Sequence, residues 1–193
     1  MLSWRQSIKD FGNYLRLEKS LSENSISAYC DDVRKLEKHF SVIPGHAGPL
    51  TVTYAGLRDF LASPGLENQS PRTQARMISG IRAFYRFLII EGEIRENPAS
   101  LLESPKLGLK LPEVLSTEEI DNMIRQIDLS KAEGHRNKAI IETLYGCGLR
   151  VSELVTLRMT DIHTGEGFVT VTGKGNKQRL VPISDKALKE IDN

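Results

Sequence analysis

Apolar residues recur at intervals of three and four along the first hundred residues, and this spacing predicts amphipathic helices. The fourth helix has the clearest signals, because Ser70 is a good N-cap, Pro71 occupies the first helical position, and the apolar run continues to about Gly92. No strand pattern interrupts the series. The N-terminal half is therefore predicted to be an all-α bundle of four helices. The apolar positions of the four segments are Trp4, Ile8, Phe11 and Leu15; Ile26, Tyr29, Val33, Leu36 and Phe40; Leu57, Phe60 and Leu61; and Met77, Ile78, Ile81, Phe84, Tyr85 and Leu88.

Three prolines, Pro98, Pro105 and Pro112, follow this bundle at short intervals. Because proline cannot continue a helix interior, the stretch reads as a linker. We therefore expect two domains, residues 1–106 and residues 107–193, each large enough for an ordinary hydrophobic core.

The second half combines helices with a strand signal. Ser116 to Glu119 form a capping-box pattern that opens a helix to about Ile127, and residues 137–145 predict a second helix that ends in glycines. A third helix is expected near Arg150. From residue 168 the apolar period changes to two, which predicts a β-hairpin with a glycine-rich tip, and a last helix starts after the N-cap Ser184. The fold class is therefore mainly α, with an α+β second half.

The fourth helix also carries four arginines on the face opposite its apolar arc: Arg72, Arg76, Arg82 and Arg86. No acidic residue occurs between Ser70 and Ile90, so no partner for these arginines is available on the helix itself. They could reach phosphates or guanine edges of duplex DNA. The alternative is an ordinary solvated helix face.

Composition narrows the class of protein only slightly. A formal net charge of +1 gives no sign of a nucleic-acid partner by itself. The two cysteines, Cys30 and Cys147, are far apart, which favours two reduced thiols over a disulfide. The N-terminus has no apolar signal core, and we expect a cytoplasmic protein with no membrane partner. The four histidines are scattered, and no metal-ligand spacing is present.

The candidate chemistry lies in Arg150 and, twenty-four positions later, Lys174 in a glycine-flanked turn. A guanidinium matches phosphate oxygens as a rigid fork, and a lysine on a turn supplies a mobile charge and a proton. Taken singly, Arg150 could simply pair with Glu153 or Glu142, and Lys174 could be a solvated hairpin tip. Together they predict a phosphate site.

Residues 144–157, which contain Gly146-Cys147-Gly148-Leu149-Arg150, and residues 169–182 (VTVTGKGNKQRLVP) resemble the first part of the catalytic domain of tyrosine recombinases of the XerD type. The likeness is more diffuse in Leu21 to Ser25, in the fourth helix, and in the linker. It implies a SAM-like N-terminal helical domain that clasps double-stranded DNA, followed by an incomplete α+β catalytic domain.

The resemblance also implies roles for single residues. Arg150 would neutralise the scissile phosphate, and Lys174 would protonate the departing 5′ oxygen. A tyrosine attacks in such enzymes and forms a covalent 3′ phosphotyrosyl link, so neither a metal nor another cofactor is needed. In the intact family, a second recombinase subunit completes a homo- or heterotetramer on DNA.

The chain departs from the family pattern after the hairpin. The family's His-x-x-Arg motif and its nucleophilic tyrosine have no counterpart here, and all five tyrosines precede Arg150. We expect a truncated copy of a longer recombinase of the chromosome-dimer resolution type, which binds DNA without recombining it. A short accessory DNA-binding protein and a helical protein-binding scaffold are the alternatives. Coding sequence downstream of Asn193 would separate the first two, and salt-insensitive or absent DNA binding would favour the third.

Overall fold

A computed structural model describes residues 2–43, 48–108 and 111–192 of the chain, and for Ala132 and Lys174 it describes the backbone alone. The chain divides into two compact units, Met1–Lys110 and Leu111–Asn193, so the division lies four residues beyond the expected boundary. In the described part of the chain the helices are α1 Trp4–Leu17, α2 Glu23–Phe40, α3 Tyr54–Leu61, α4 Pro71–Ile90, α5 Thr117–Arg125, α6 Ala132–Cys147, α7 Val151–Leu154 and α8 Asp185–Asp192. The strands are β1 Ile162–His163, β2 Phe168–Thr172 and β3 Gln178–Pro182.

The first unit is the predicted four-helix bundle. Each of its helices begins at a serine or threonine whose side chain accepts a hydrogen bond from a backbone N–H of the first turn, and Ser70 does this for α4 through the N–H of Thr73. The apolar arc of α4 is buried as predicted, with Ile81, Phe84 and Tyr85 fully enclosed. The single tryptophan, Trp4, stacks on Phe84 with ring centroids 6.1 Å apart. The hydrophobic periodicity of the sequence therefore predicted both the helices and the faces that they bury.

The second unit packs helices around a small antiparallel sheet. Its core contains Cys147, Leu149, Val169, Val171, Ile183 and Ala187. The predicted hairpin is present as β2 and β3, with Val169 opposite Val181 and Val171 opposite Arg179. The sequence pattern missed β1, which extends the hairpin to three strands, because a two-residue strand is too short to show a period.

Helix α6 begins five residues earlier than predicted, at Ala132. Its first turn packs so closely on the preceding chain that a Cβ on Gly134 would lie 2.1 Å from the carbonyl oxygen of Asp128. Gly134 lowered the helical signal because glycine is a poor helix former. The tertiary contact, which only glycine permits, explains its presence in the helix.

Two further expectations concern composition. Cys30 and Cys147 are buried free thiols, so the disulfide alternative was wrong. Within residues 2–43, 48–108 and 111–192, every helix is too short or too polar to span a lipid bilayer.

Candidate active site and nucleic-acid interface

The groove that contains Arg150 lies within the second unit. Helix α6 ends at Cys147 and is capped by Gly148, which adopts a left-handed conformation (φ 58°). Arg150 then serves as the N-cap residue of the single-turn helix α7. This tight turn leaves the Arg150 side chain 74% exposed. An open groove is lined by Arg150, Ser152, Glu153, Thr156, Arg158, Asp161, Thr172, Gly173 and Gln178. Arg150 and the base of the hairpin therefore face the same space.

Glu153 is the organising carboxylate of this groove, although its side chain is only 4% exposed. It accepts the backbone N–H of Arg150 on Oε2 at 2.9 Å and the Arg150 Nη1 on Oε1 at 3.0 Å. Arg179 of β3 donates to both carboxylate oxygens, from Nη1 to Oε1 at 2.8 Å and from Nη2 to Oε2 at 2.9 Å. Glu153 thus receives four hydrogen bonds from two arginines.

These contacts determine the charge state of Glu153. The hydrogen bonds from Arg179, joined by the backbone N–H of Arg150, lower the pKa of Glu153 to about 2, and burial opposes them only in part. The carboxylate is therefore ionised at every physiological pH. Two guanidinium groups share it, which leaves a net positive charge on the exposed side of the groove.

The hairpin tip carries the second predicted catalytic residue. Residues Lys174–Asn176 form a 3₁₀ turn that the bond from the Gly173 N–H to the Lys177 carbonyl closes at 2.8 Å. Gly175 within this turn has φ 75°, a conformation that favours glycine. The Lys174 side chain lies outside the described residues. Its backbone follows Gly173 directly, and Gly173 lines the groove together with Arg150.

The arginines of α4 lie within the first unit, and they do not form one unpaired stripe. Arg76 donates to the carboxylate of Asp32 on α2 and, at 3.1 Å, to the carbonyl of Ala28. Arg82 donates to the carbonyls of Ala99 and Leu102, just beyond the bundle. The helix itself offers no acidic partner, as expected, but Arg76 and Arg82 are paired all the same, because their partners come from other segments of the chain.

Arg72 and Arg86 remain as the exposed cations of the predicted face. Arg72 lies in the first turn of α4, and Arg86 lies near its end. Arg86 also lines a groove together with Lys19 and the polar residue Ser79. The Lys19 ammonium lies 5.4 Å from the centroid of the Tyr14 ring. This surface keeps a positive face, but it is smaller than the sequence indicated.

Sequence reasoning missed Arg179 as a member of the site and considered Glu153 only as a competing partner of Arg150. One signal could have found Arg179. It alternates with Val181 and Ile183, so the period of two places an arginine on the apolar face of the hairpin. An arginine beside buried valines is stabilised when an anion lies within reach, and the Glu153 carboxylate accepts from Arg179 at 2.8 and 2.9 Å.

Comparisons with known proteins agree with this architecture. Residues 8–92 match the phage integrase N-terminal SAM-like domain, and residues 113–193 match the phage integrase family. The chain therefore belongs to the phage integrase family of tyrosine recombinases.

Within that family the chain is of the XerD type. It is 36% identical over 180 residues to the tyrosine recombinase XerD of Listeria monocytogenes serotype 4b (strain F2365). The matched region covers 93% of the chain and 61% of the relative. It is 38% identical over 184 residues to the tyrosine recombinase XerD of Oceanobacillus iheyensis. This match covers 94% of the chain and 61% of the relative. The chain thus spans about three fifths of the length of these relatives.

Solved structures share the fold at low sequence identity. A lambda integrase tetramer bound to a Holliday junction has a TM-score of 0.73 at 16% identity, covering 100% of this chain and 56% of that one. The XerH site-specific recombinase bound to palindromic difH substrate has a TM-score of 0.70 at 20% identity, covering 99% and 56%. Both complexes contain recombinases on DNA.

Proposed function

We propose that this chain binds duplex DNA and supplies the DNA-clasping domain, residues 1–106, and the first part of the catalytic domain, residues 107–193, of a XerD-like tyrosine recombinase. Its process is site-specific recombination, and its substrate is a chromosome-dimer resolution site in the cytoplasm. The observation that carries the proposal is the groove in which an exposed Arg150 faces the base of the Lys174 hairpin. A phosphate bound there would meet a fixed cationic fork.

The residue types suit phosphoryl transfer. In the proposed reaction, the guanidinium of Arg150 stabilises charge that builds on the equatorial oxygens of the scissile phosphate. Lys174 donates a proton to the 5′ oxygen as it leaves. A tyrosine nucleophile would keep the phosphodiester bond energy in a covalent link, so this chemistry requires neither a metal nor ATP. A partner recombinase subunit on the same DNA belongs to the proposal, and recombinases assembled as dimers and tetramers on DNA share this fold.

The first unit would bind DNA through the surface that contains Arg72 and Arg86. Arg76 and Arg82 would support that surface, because their side chains are already engaged with Asp32 and with the carbonyls that follow the bundle. The four arginines of α4 therefore have two kinds of role in the proposal.

The test is a titration of labelled duplex DNA with the 193-residue chain at several salt concentrations. The double substitution Arg72→Ala and Arg86→Ala should weaken binding and reduce the slope of log affinity against log salt by about two, since each phosphate contact contributes about 0.9. The matched control replaces Arg5 and Arg58, two exposed arginines on α1 and α3, and should leave the slope unchanged. Equal slopes in the two double variants would exclude this surface. Binding that is absent or insensitive to salt in the unaltered chain would instead favour a protein-binding scaffold.

A further inference from the structure

Arg179 lies on the same face of the sheet as the buried valines of β2, but at the open end of that face, where its side chain is 40% exposed. It lies opposite Val171 in the β2–β3 register, and the neighbouring pair on the same face is Val169 with Val181. Val169 and Val171 are fully buried. An arginine at the open end of this apolar face points toward α7, where its two terminal nitrogens reach Glu153.

The pair between Arg179 and Glu153 is bidentate, whereas Arg150 uses a single guanidinium nitrogen on the same carboxylate. A guanidinium has five N–H donors. Within the described part of the chain, the Arg150 guanidinium makes this one hydrogen bond, and it keeps the rest of its fork toward the groove. If Arg150 were the only cation on Glu153, the carboxylate would cancel its charge. With Arg179 present, two cations share one anion.

Gly173 shows how closely the hairpin is fitted to this pair. A Cβ at position 173 would lie 3.3 Å from Arg179 Nη1 and 3.3 Å from Glu153 Oε1. The φ of Gly173 is −97°, so space, not backbone conformation, favours glycine there. The residue that precedes Lys174 therefore packs directly on the Arg179–Glu153 pair.

We propose that Arg179 is a positioning residue for phosphate binding at Arg150. It fixes the Glu153 carboxylate in a two-bond pair and shares its charge, so that Arg150 has one orientation and a free cationic fork. The same pair fixes the base of the hairpin, through Gly173, beside Arg150. The positioning role applies to any phosphate bound at Arg150, and it rests on the proposed function only for the phosphates of DNA.

The test measures binding of inorganic phosphate at Arg150 in the 193-residue chain, through the NMR signal of the Arg150 side-chain Nε–Hε group. Arg179→Met should lower the affinity for phosphate about threefold to tenfold, because it removes a nearby positive charge and leaves Glu153 paired with Arg150 alone. Arg179→Lys keeps the charge without the two-point fork and should restore part of the loss. The control Arg125→Met removes the same charge from α5, where Arg125 contacts Asn122, and should leave the affinity unchanged.

A second variant changes no charge. Gly173→Ala inserts a methyl group against both members of the pair and should lower phosphate affinity in the same direction, whereas Gly165→Ala, which adds a methyl in open space, should not. Amide exchange of the β2–β3 hairpin is recorded in every variant. If Arg179→Met unfolds the hairpin, the phosphate affinity of Gly173→Ala becomes the test of the proposal.

Unaltered phosphate affinity in a variant of Arg179 or Gly173 with a protected hairpin would overturn the proposal. Loss of hairpin protection in both would also overturn it, since Arg179 would then be a structural residue only. A chain that shows the expected phosphate effects but does not bind DNA would support the positioning role and exclude the proposed function.

Discussion

Each unit holds a buried carboxylate between two cations, and the two carboxylates behave in opposite ways. Asp32 in the first unit has a side chain with 0% exposure, Arg76 donates to its Oδ2, and the Lys35 ammonium lies 3.6 Å from its Oδ1. Glu153 in the second unit is 4% exposed and receives four hydrogen bonds. Burial raises the pKa of Asp32 against the opposing charges of Arg76 and Lys35, whereas hydrogen bonds lower the pKa of Glu153 to about 2.

The difference shows when a buried carboxylate leaves one of its arginine partners exposed. At Asp32 the loss of solvation outweighs the attraction of Arg76 and Lys35, whereas at Glu153 the hydrogen bonds from a bidentate arginine and a backbone N–H outweigh the effect of burial. Arg76 is engaged in holding α2 against α4. The guanidinium of Arg150 contributes one hydrogen bond to Glu153, and the Arg150 side chain stays 74% exposed. An arginine is available to a ligand when another group has already satisfied its carboxylate.

The largest effect is expected at Arg76. Arg76→Met should lower the free energy of unfolding of the first unit by about 2 kcal/mol, less than for a fully enclosed pair because the Arg76 side chain is 39% exposed. Denaturation followed by the fluorescence of Trp4 reports on this unit alone, since Trp4 is the single tryptophan. The exposed Arg72→Met, on the same helix, should change stability by less than about 0.5 kcal/mol.

The double variant Arg76→Met with Asp32→Asn sharpens this prediction. It removes both charges, so most of the lost stability should return. A double variant as unstable as Arg76→Met would mean that Arg76 acts through packing and not through Asp32.

A smaller loss is expected at Arg82. Arg82→Met leaves the carbonyls of Ala99 and Leu102 without their side-chain donor and should cost about 1 kcal/mol in the same Trp4 assay. Arg86→Met, one turn further along α4, is its matched control and should have almost no effect. Equal losses in the two variants would contradict the assignment of Arg82 to the segment that follows the bundle.

Acid should act on the second unit through Glu153. Because the pKa of Glu153 in the folded protein is depressed, its ionised form contributes stability that is complete above its ordinary value of 4.5 and is lost as the pH falls toward about 2. Amide exchange of the β2–β3 hairpin should accelerate over that range. Glu153→Gln should have weaker protection at neutral pH and little further change on acidification. The same acid response in both proteins would show that other groups dominate.

The smallest effect is the opposite pH dependence at Asp32. Since the pKa of Asp32 is raised in the folded protein, its contribution to stability is greatest below the ordinary value of 3.8 and falls as the pH rises through its folded pKa. The contribution of Asp32 is the difference between the pH profiles of stability, followed by Trp4 fluorescence, of the unaltered chain and of Asp32→Asn. A profile in which Asp32 adds stability as the pH rises would reverse our view of the two carboxylates.

The sequence predicted most of the fold because most of its signals are local. Caps such as Ser70 and Ser116, the apolar period of α4, and the alternation from residue 168 each specify an element within a few residues. The start of α6 was missed because Gly134, a poor helix former, lies in its first turn, and β1 was missed because a two-residue strand shows no period. The sequence indicated only part of the candidate site. Arg150 and Lys174 stand in recognisable motifs, but no local pattern connects Arg179 with Glu153.

By itself, the sequence determined the helical bundle and the hairpin, since periodicity and capping act over one or two turns, and it supplied the residue types of the proposed phosphate site. It also determined the family, through the motifs around Arg150 and the hairpin. Tertiary structure alone decided which arginines are free. Asp32 on α2 pairs with Arg76, and Glu153 on α7 pairs with Arg179, because packing brings together charges that lie 44 and 26 positions apart. The folding of the chain, and not the position of an arginine on its helix, therefore decides which arginines pair within the fold and which stay exposed.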